Sequence, residues 1–362
     1  MVNSIYVHIP FCKQKCLYCD FNSFQNKENM IDEYMKALYK ECTKFSFDEK
    51  IKTIYIGGGT PSFIDSKYIV ELLKILPKAE EITIEMNPCT VTEAKLIDYK
   101  NAGINRISIG LQTTNDNILK EIGRIHSFEE FEKAYNLVKN LEFENVNVDL
   151  MFGLPNQTLR DVEESLKYLI DIKPTHISCY SLILHENIFK NLPSDEEERE
   201  MYYLTRQILE NSGFEQYEIS NFSKKGYESK HNLAYWNQEE YIGIGAGASS
   251  YYNGERYTNE RNIEKYISKI NNEEEIRNVE EIENEESKLR EYIILKLRLT
   301  EGVCIEDGNE KFGVQIQELF MDKIDKLQKL ELIVIELINN KTYMKLTRRG
   351  MDLANQVWEE FI

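Results

Sequence analysis

Tyr6-Val7-His8-Ile9-Pro10-Phe11-Cys12-Lys13-Gln14-Lys15-Cys16-Leu17-Tyr18-Cys19-Asp20-Phe21 decides how the rest of this chain is read. Cys12, Cys16 and Cys19 form C-x3-C-x2-C directly after a short apolar run. Thiolates gathered this closely select soft-ligand chemistry, either zinc or an iron–sulfur cluster. A structural zinc site closes with four ligands, and no fourth Cys or His follows at finger spacing. A four-iron cubane on three thiolates leaves one iron open to a non-protein ligand, which makes the loop a place for chemistry. Zinc and three incidental thiols are the competing readings.

Outward from this loop, short β-rich runs alternate with helical segments. Strands are expected over 4–9, 53–57, 81–86, 106–110, 146–151 and 176–181. Between them, 127–140 places Phe128, Phe131, Ala134, Tyr135 and Val138 on one helical face, with Ser127 and Glu130 as a capping box. Leu159, Val162, Leu166, Leu169 and Ile170 do the same over 158–170, and 195–211 reads as a long helix. Such alternation implies a parallel sheet with right-handed crossovers. Six units give an α/β fold, a partial (β/α)6 TIM-like barrel short of the eight that close a full one. In these sheets chemistry gathers beyond the carboxyl ends of the strands. The distinctive residues fall there: the cysteine loop, Gly57-Gly58-Gly59-Thr60-Pro61, Glu85, Gln112, and Asp149 with Gly153-Leu154-Pro155. The three glycines lack the Lys of a phosphate-binding loop, so a triphosphate cradle is disfavoured.

The cysteine run with its Tyr-Val-His-Ile-Pro-Phe flank resembles the cluster loop of radical S-adenosylmethionine (SAM) proteins. The resemblance implies a [4Fe-4S] cluster on Cys12, Cys16 and Cys19, with SAM capping the open iron. Carried over by residue, Tyr6, Tyr18, Gly58, Gly59, Thr60, Glu85, Gln112, Arg124 and Asp149 would line the SAM pocket. One electron, from a donor such as flavodoxin or ferredoxin, would cleave SAM to methionine and a 5′-deoxyadenosyl radical. The cofactor carries that chemistry, and the protein positions it.

Three further runs narrow the resemblance. Gly153-Leu154-Pro155, Gln216-Tyr217-Glu218-Ile219-Ser220-Asn221-Phe222 and His231-Asn232-Leu233-Ala234-Tyr235-Trp236 look like the HemW branch of the coproporphyrinogen-oxidase-like proteins. The likeness runs over nearly the whole chain. That branch is understood as heme chaperones, which implies heme and heme-acceptor proteins as partners. It implies no coproporphyrinogen turnover and leaves SAM cleavage open. His231 would be the heme contact or axial ligand, because neutral imidazole binds iron well. Tyr235 and Trp236 would wall the porphyrin. Read from the residues alone, the alternative for His231 is a histidine buried or hydrogen-bonded in a hinge beside two core aromatics. Lys230 stands where many relatives have Cys, so thiol attachment there is excluded. The alternative is the oxygen-independent coproporphyrinogen III oxidase/dehydrogenase of porphyrin biosynthesis. That relative carries a further Cys two places after the third cluster Cys, and here the place is Phe21. A radical SAM enzyme on another substrate is the third reading.

The chain has 362 residues, and a formal net charge of −18 disfavours nucleic acid and anionic membrane. A hydrophobic share of 42% supports a full core. No apolar stretch is long enough to span a bilayer and no signal pattern opens the chain, so a cytoplasmic protein is expected, with peripheral membrane contact left open. Cys42, Cys89, Cys179 and Cys304 are scattered, as core residues of a reducing compartment. We expect a radical SAM core over 1–225. Over 226–286 the His-Asn-x-x-Tyr-Trp segment leads into an acidic linker or solvated helix. A small α+β unit of winged-helix type follows over 287–362, with a helix over 316–330 and a hairpin turning at Asn339-Asn340. The helix over 316–330 mixes Lys323, Lys326 and Lys329 with Glu318, Asp322 and Asp325, which argues for packing or protein contact rather than DNA.

Overall fold

The computed structural model describes residues 2–47, 50–183 and 188–362. Six parallel strands form its centre: β1 (Ser4–Ile9), β2 (Lys50–Gly58), β3 (Lys78–Met86), β4 (Arg106–Gln112), β5 (Asn145–Phe152) and β6 (His176–Ser181). They pair in that order. Helices return the chain between them: α1 (Ile31–Cys42), α2 (Ser66–Ile75), α3 (Glu93–Asn101), α4 (Asp116–Glu121), α5 (Phe128–Asn140) and α6 (Leu159–Ile172). A seventh, α7 (Asp195–Asn211), follows β6. This is the expected partial barrel.

The caps explain where helices begin. Ser127 with Glu130, Thr158 with Asp161 and Ser194 with Glu197 each form a reciprocal capping box, satisfying two otherwise idle N–H groups apiece. The inner faces follow from spacing: Val162, Leu166 and Leu169 of α6 are fully buried. Truncating any one of these leucines to Ala is expected to cost about 2–5 kcal/mol.

The sheet runs beyond six strands. Past β6 lie the antiparallel β7 (Glu215–Glu218) and β8 (Asn221–Ser223). The helix α8 (Lys230–Trp236) comes next, and then β9 (Tyr241–Ile244) pairs parallel to β1 on its other side. The antiparallel β10 (Ser249–Tyr252), β11 (Glu255–Asn259) and β12 (Arg277–Ile282) extend that edge, with α9 (Ile263–Asn271) packed behind. The acidic run expected as a linker or solvated helix therefore contains an edge strand. Every residue of β12 is exposed, and its charges suit a strand whose outer edge stays unpaired.

The C-terminal unit has its own core. It comprises α10 (Glu285–Lys296), β13 (Val303–Cys304), α11 (Ile305–Phe312), α12 (Ile316–Leu319), α13 (Met321–Lys329), β14 (Ile333–Ile338), β15 (Lys341–Leu346), α14 (Arg348–Asp352) and α15 (Ala354–Glu359). Its sheet order, β13-β15-β14, is the winged-helix arrangement. Asn339 and Asn340 both take positive φ, as a two-residue hairpin turn requires. The single helix expected over 316–330 is broken at Phe320, whose backbone leaves the helical region while its ring is buried edge-on against Phe361.

Candidate functional site

One cavity of about 430 Å³ runs down the inside of the barrel. Cys12, Cys16 and Cys19 line it together, with Tyr18, Gly58, Gly59, Thr60, Glu85, Gln112, Arg124 and Asp149. The sequence had scattered these residues over more than a hundred positions, and the strand ends gather them.

Backbone bonds hold the cysteine loop at both ends. Cys12 N donates to Phe24 O, and Leu17 N donates to Ile122 O. Gly59 makes the passage feasible: a Cβ there would lie 2.9 Å from Phe11 O and 3.0 Å from Cys12 Sγ. Gly58 adopts φ +113°, and a Cβ would strike the His8 ring at 2.7 Å. Both glycines are therefore demanded by the chain itself, whatever binds beside them. Thr60 Oγ1 donates to Cys12 Sγ at 3.5 Å, and Arg124 Nη1 to Cys16 Sγ at 3.7 Å. Burial pushes the Cys12 thiol up, so an uncompensated thiolate there is disfavoured. Among the described residues, no three His, Cys, Asp or Glu side chains converge on the single point that one metal ion needs. A cubane does not need that convergence, since each thiolate takes a different iron. Three thiols on one cavity wall, with no fourth protein ligand, fit the cluster.

Arg124 is fixed from two sides, because its Nη2 also donates to Gly110 O at 3.1 Å. Burial alone would depress its guanidinium, but Tyr18 and Cys16 hold it above its ordinary value. Gly110 leaves room for this: a Cβ would meet Gln112 Nε2 at 2.5 Å and Arg124 Nη2 at 2.8 Å. Gln112 itself sits at φ +70° beside a bulge in β4. A buried non-glycine in that region is strained, and such strain clusters at ligand sites.

The two carboxylates lie deeper. Glu85 accepts from Tyr55 Oη at 2.7 Å and Gly58 N at 3.1 Å. Burial pushes it up to about 7, with the Asp149 charge adding to the rise. Asp149 accepts from Asn147 Nδ2 at 2.7 Å and is likewise raised by burial. Two buried acids, both raised by desolvation, suit a ligand that brings an ammonium, a sulfonium or ribose hydroxyls.

Tyr6 and His231 do not line the cavity. Tyr6 donates its hydroxyl to His8 Nδ1 at 2.9 Å and lies against Tyr55. His231 is 1% exposed and stacks on Tyr55, with ring centroids 5.1 Å apart. Its Nδ1 is 2.8 Å from Thr53 Oγ1, whose own proton goes to Ser4 Oγ, which assigns the imidazole proton to Nδ1. Nε2 then accepts from Tyr235 Oη at 2.8 Å. Burial pushes His231 down to about 3, so it is neutral but has no lone pair to offer. The expected iron contact is thus absent from this conformation: both nitrogens are engaged inside the fold. Tyr235 packs edge-on against Tyr241, and Trp236 lies under Arg298, which also covers Trp358 and pairs with the buried Glu218 at 3.4 Å. The aromatic pair joins the barrel to the C-terminal unit. From this motif only Asn232 reaches the cavity.

Sequence reasoning missed Arg106, Tyr55 and Asn147, which line the cavity below the carboxylates. The signal was present: Arg106, Ser108, Gly110 and Gln112 alternate with Ile107, Ile109 and Leu111 in β4.

Comparison with known proteins bears on the whole chain. The radical SAM superfamily matches residues 6–169, and the HemN C-terminal domain matches residues 284–353. The heme chaperone HemW of Bacillus subtilis is 37% identical, covering 100% of this chain and 99% of the relative. HemW of Lactococcus lactis is 36% identical, over 99% and 97%. HemW of Escherichia coli is 41% identical over 68% of this chain and 69% of its own length. Among solved structures, the coproporphyrinogen III oxidase HemN of Escherichia coli superposes with a TM-score of 0.86 at 21% identity, covering 99% of this chain and 89% of that one.

Proposed function

Because this chain belongs to the HemW family of radical SAM proteins, we propose that it is a heme chaperone, taking up heme and passing it to acceptor proteins. The observation that carries this reading is the full-length likeness to HemW relatives. HemN shares the fold at much lower identity. Phe21 agrees with it: 65% exposed and lining the cavity, it stands where the oxidase has a thiol.

Cys12, Cys16 and Cys19 would hold a [4Fe-4S] cluster, and the cavity around Tyr18, Thr60, Glu85, Gln112, Arg124 and Asp149 would take SAM. When bound, the cluster supplies a one-electron reductant and SAM its substrate. The chain's own residues do the rest. Arg124 screens the thiolate of Cys16, and Thr60 donates to that of Cys12. Glu85, poised near 7, accepts a proton or a hydrogen bond from the ligand as it enters. Gly58 and Gly59 line the cavity, and Gly58 N holds the Glu85 carboxylate in place. Phe21 and Ile183, both exposed at the cavity, give an apolar surface suited to a flat macrocycle. A reduced flavodoxin or ferredoxin is the proposed electron donor. The proposed setting is the cytoplasm. No helix among the described residues is long and apolar enough to cross a membrane.

The test is a heme titration of anaerobically reconstituted protein, with coproporphyrinogen III turnover assayed on the same sample. Saturable one-to-one heme binding without decarboxylated product is expected. Decarboxylation without stable heme binding would make the chain an oxidase and Phe21 a tolerated change.

A further inference from the structure

At the end of the cavity away from the cysteines, two polar side chains have nothing to hold. Arg106 opens β4 with 2% of its surface exposed, and it lines the cavity. Among the described residues its guanidinium makes no hydrogen bond and no ion pair, and Nε is buried without a partner. Glu85 and Asp149 feel its charge without pairing with it. The acceptors nearby are already engaged. Asn147 Oδ1 takes Ser178 Oγ and the His176 ring, Glu85 takes Tyr55 and Gly58, and Asp149 takes Asn147. Asn232 of α8 lines the same cavity, and its carboxamide also has no partner among the described residues.

A guanidinium buried without an acceptor is unfavourable, and a bound oxyanion reverses the deficit. A carboxylate matches the planar fork of Arg two N–H groups at a time. Depth separates this position from the cluster-side cation. At roughly 3.3 Å per residue, the Arg106 Cα lies about 13 Å below Gly110, the level that Arg124 grips. We infer that Arg106 and Asn232 form a carboxylate seat at the inner end of the barrel cavity. The seat rests on the heme-and-SAM reading above, and its carboxylate comes either from a propionate of the tetrapyrrole or from the amino-acid end of a SAM molecule that does not cap the open iron.

Two ligand pairs test this on the full-length reconstituted protein: heme against its dimethyl ester, and SAM against decarboxylated SAM. Dissociation constants are measured for the wild type, Arg106→Gln, Arg106→Lys and Asn232→Ala, with thermal melts confirming the fold. In one pair the wild type is expected to prefer the free acid by about 10–100-fold. That preference should collapse in Arg106→Gln, survive in part in Arg106→Lys and weaken in Asn232→Ala. The pair that responds identifies the source of the carboxylate. Should Arg106→Gln melt too low to assay, Asn232→Ala carries the same test, since its side chain holds nothing in the fold. Wild-type discrimination retained by both variants in both pairs, or no preference in the wild type, overturns the seat. A wild type that binds no heme sinks the chaperone reading instead and leaves the SAM pair to decide the seat.

Discussion

The two ends of the barrel carry the chain's two most distinctive sequence runs, and they treat side chains in opposite ways. At the carboxyl end of the strands, Cys12, Cys16 and Cys19 face a shared cavity, with Gln112 in strained backbone nearby. At the amino end, His231 spends both nitrogens on Thr53 and Tyr235, and Trp236 is covered by Arg298. Both runs look like ligand motifs when read as residue types. The difference teaches that a ligand is made by idle valence rather than by side-chain identity. A histidine with two partners is a fastener.

The sharpest way to break this contrast is at the open end. Cys16→Ala should abolish the visible absorbance of the reconstituted cluster while leaving the far-ultraviolet dichroism unchanged. An intact cluster spectrum would remove Cys16 from the ligand set.

At the closed end the expected effect is on stability. His231→Ala leaves a cavity against Tyr55 and strips partners from Thr53 and Tyr235, at a cost of about 2–4 kcal/mol in urea unfolding. The cluster of the folded variant should keep its spectrum. A variant as stable as the wild type would mean that His231 is not the fastener described.

The smallest effect sharpens the comparison through pH. Glu85 is pushed from its ordinary value up to about 7, so its folded form holds the proton more tightly than its unfolded form. Its stabilising contribution is therefore complete below about pH 4.5 and lost as pH rises through about 7. In ligand-free protein Glu85→Gln should gain about 1–3 kcal/mol over the wild type at pH 8 relative to pH 5. An equal difference at both pH values would contradict the buried, raised carboxylate.

Much of this was legible from the chain. The end of β1 follows from an apolar run that stops at Pro10, and the starts of α5 and α7 from Ser127 and Ser194 acting as caps. The cluster side of the cavity was legible because strand ends in a parallel sheet converge. The extension from β7 to β12 was not. Its strands have only three to six residues, and β12 carries exposed acids that read as solvated chain. Arg106 was hidden because a charge at the start of a strand reads as an edge residue, although its alternation with Ile107 placed it inside. The bond from Tyr235 to His231 was also legible: Tyr235 lies four residues on along one helix, the spacing at which side chains meet.

The measurement that bears most directly on the contrast is a heme titration of His231→Gln beside the wild type, followed through the Soret band. With heme chemistry at the cavity and His231 as a fastener, the folded variant should bind one heme with an unchanged Soret position and an affinity within about threefold of the wild type. Loss of saturable binding, or a shifted Soret band in a variant that still melts cooperatively, would put His231 on the iron and contradict the account.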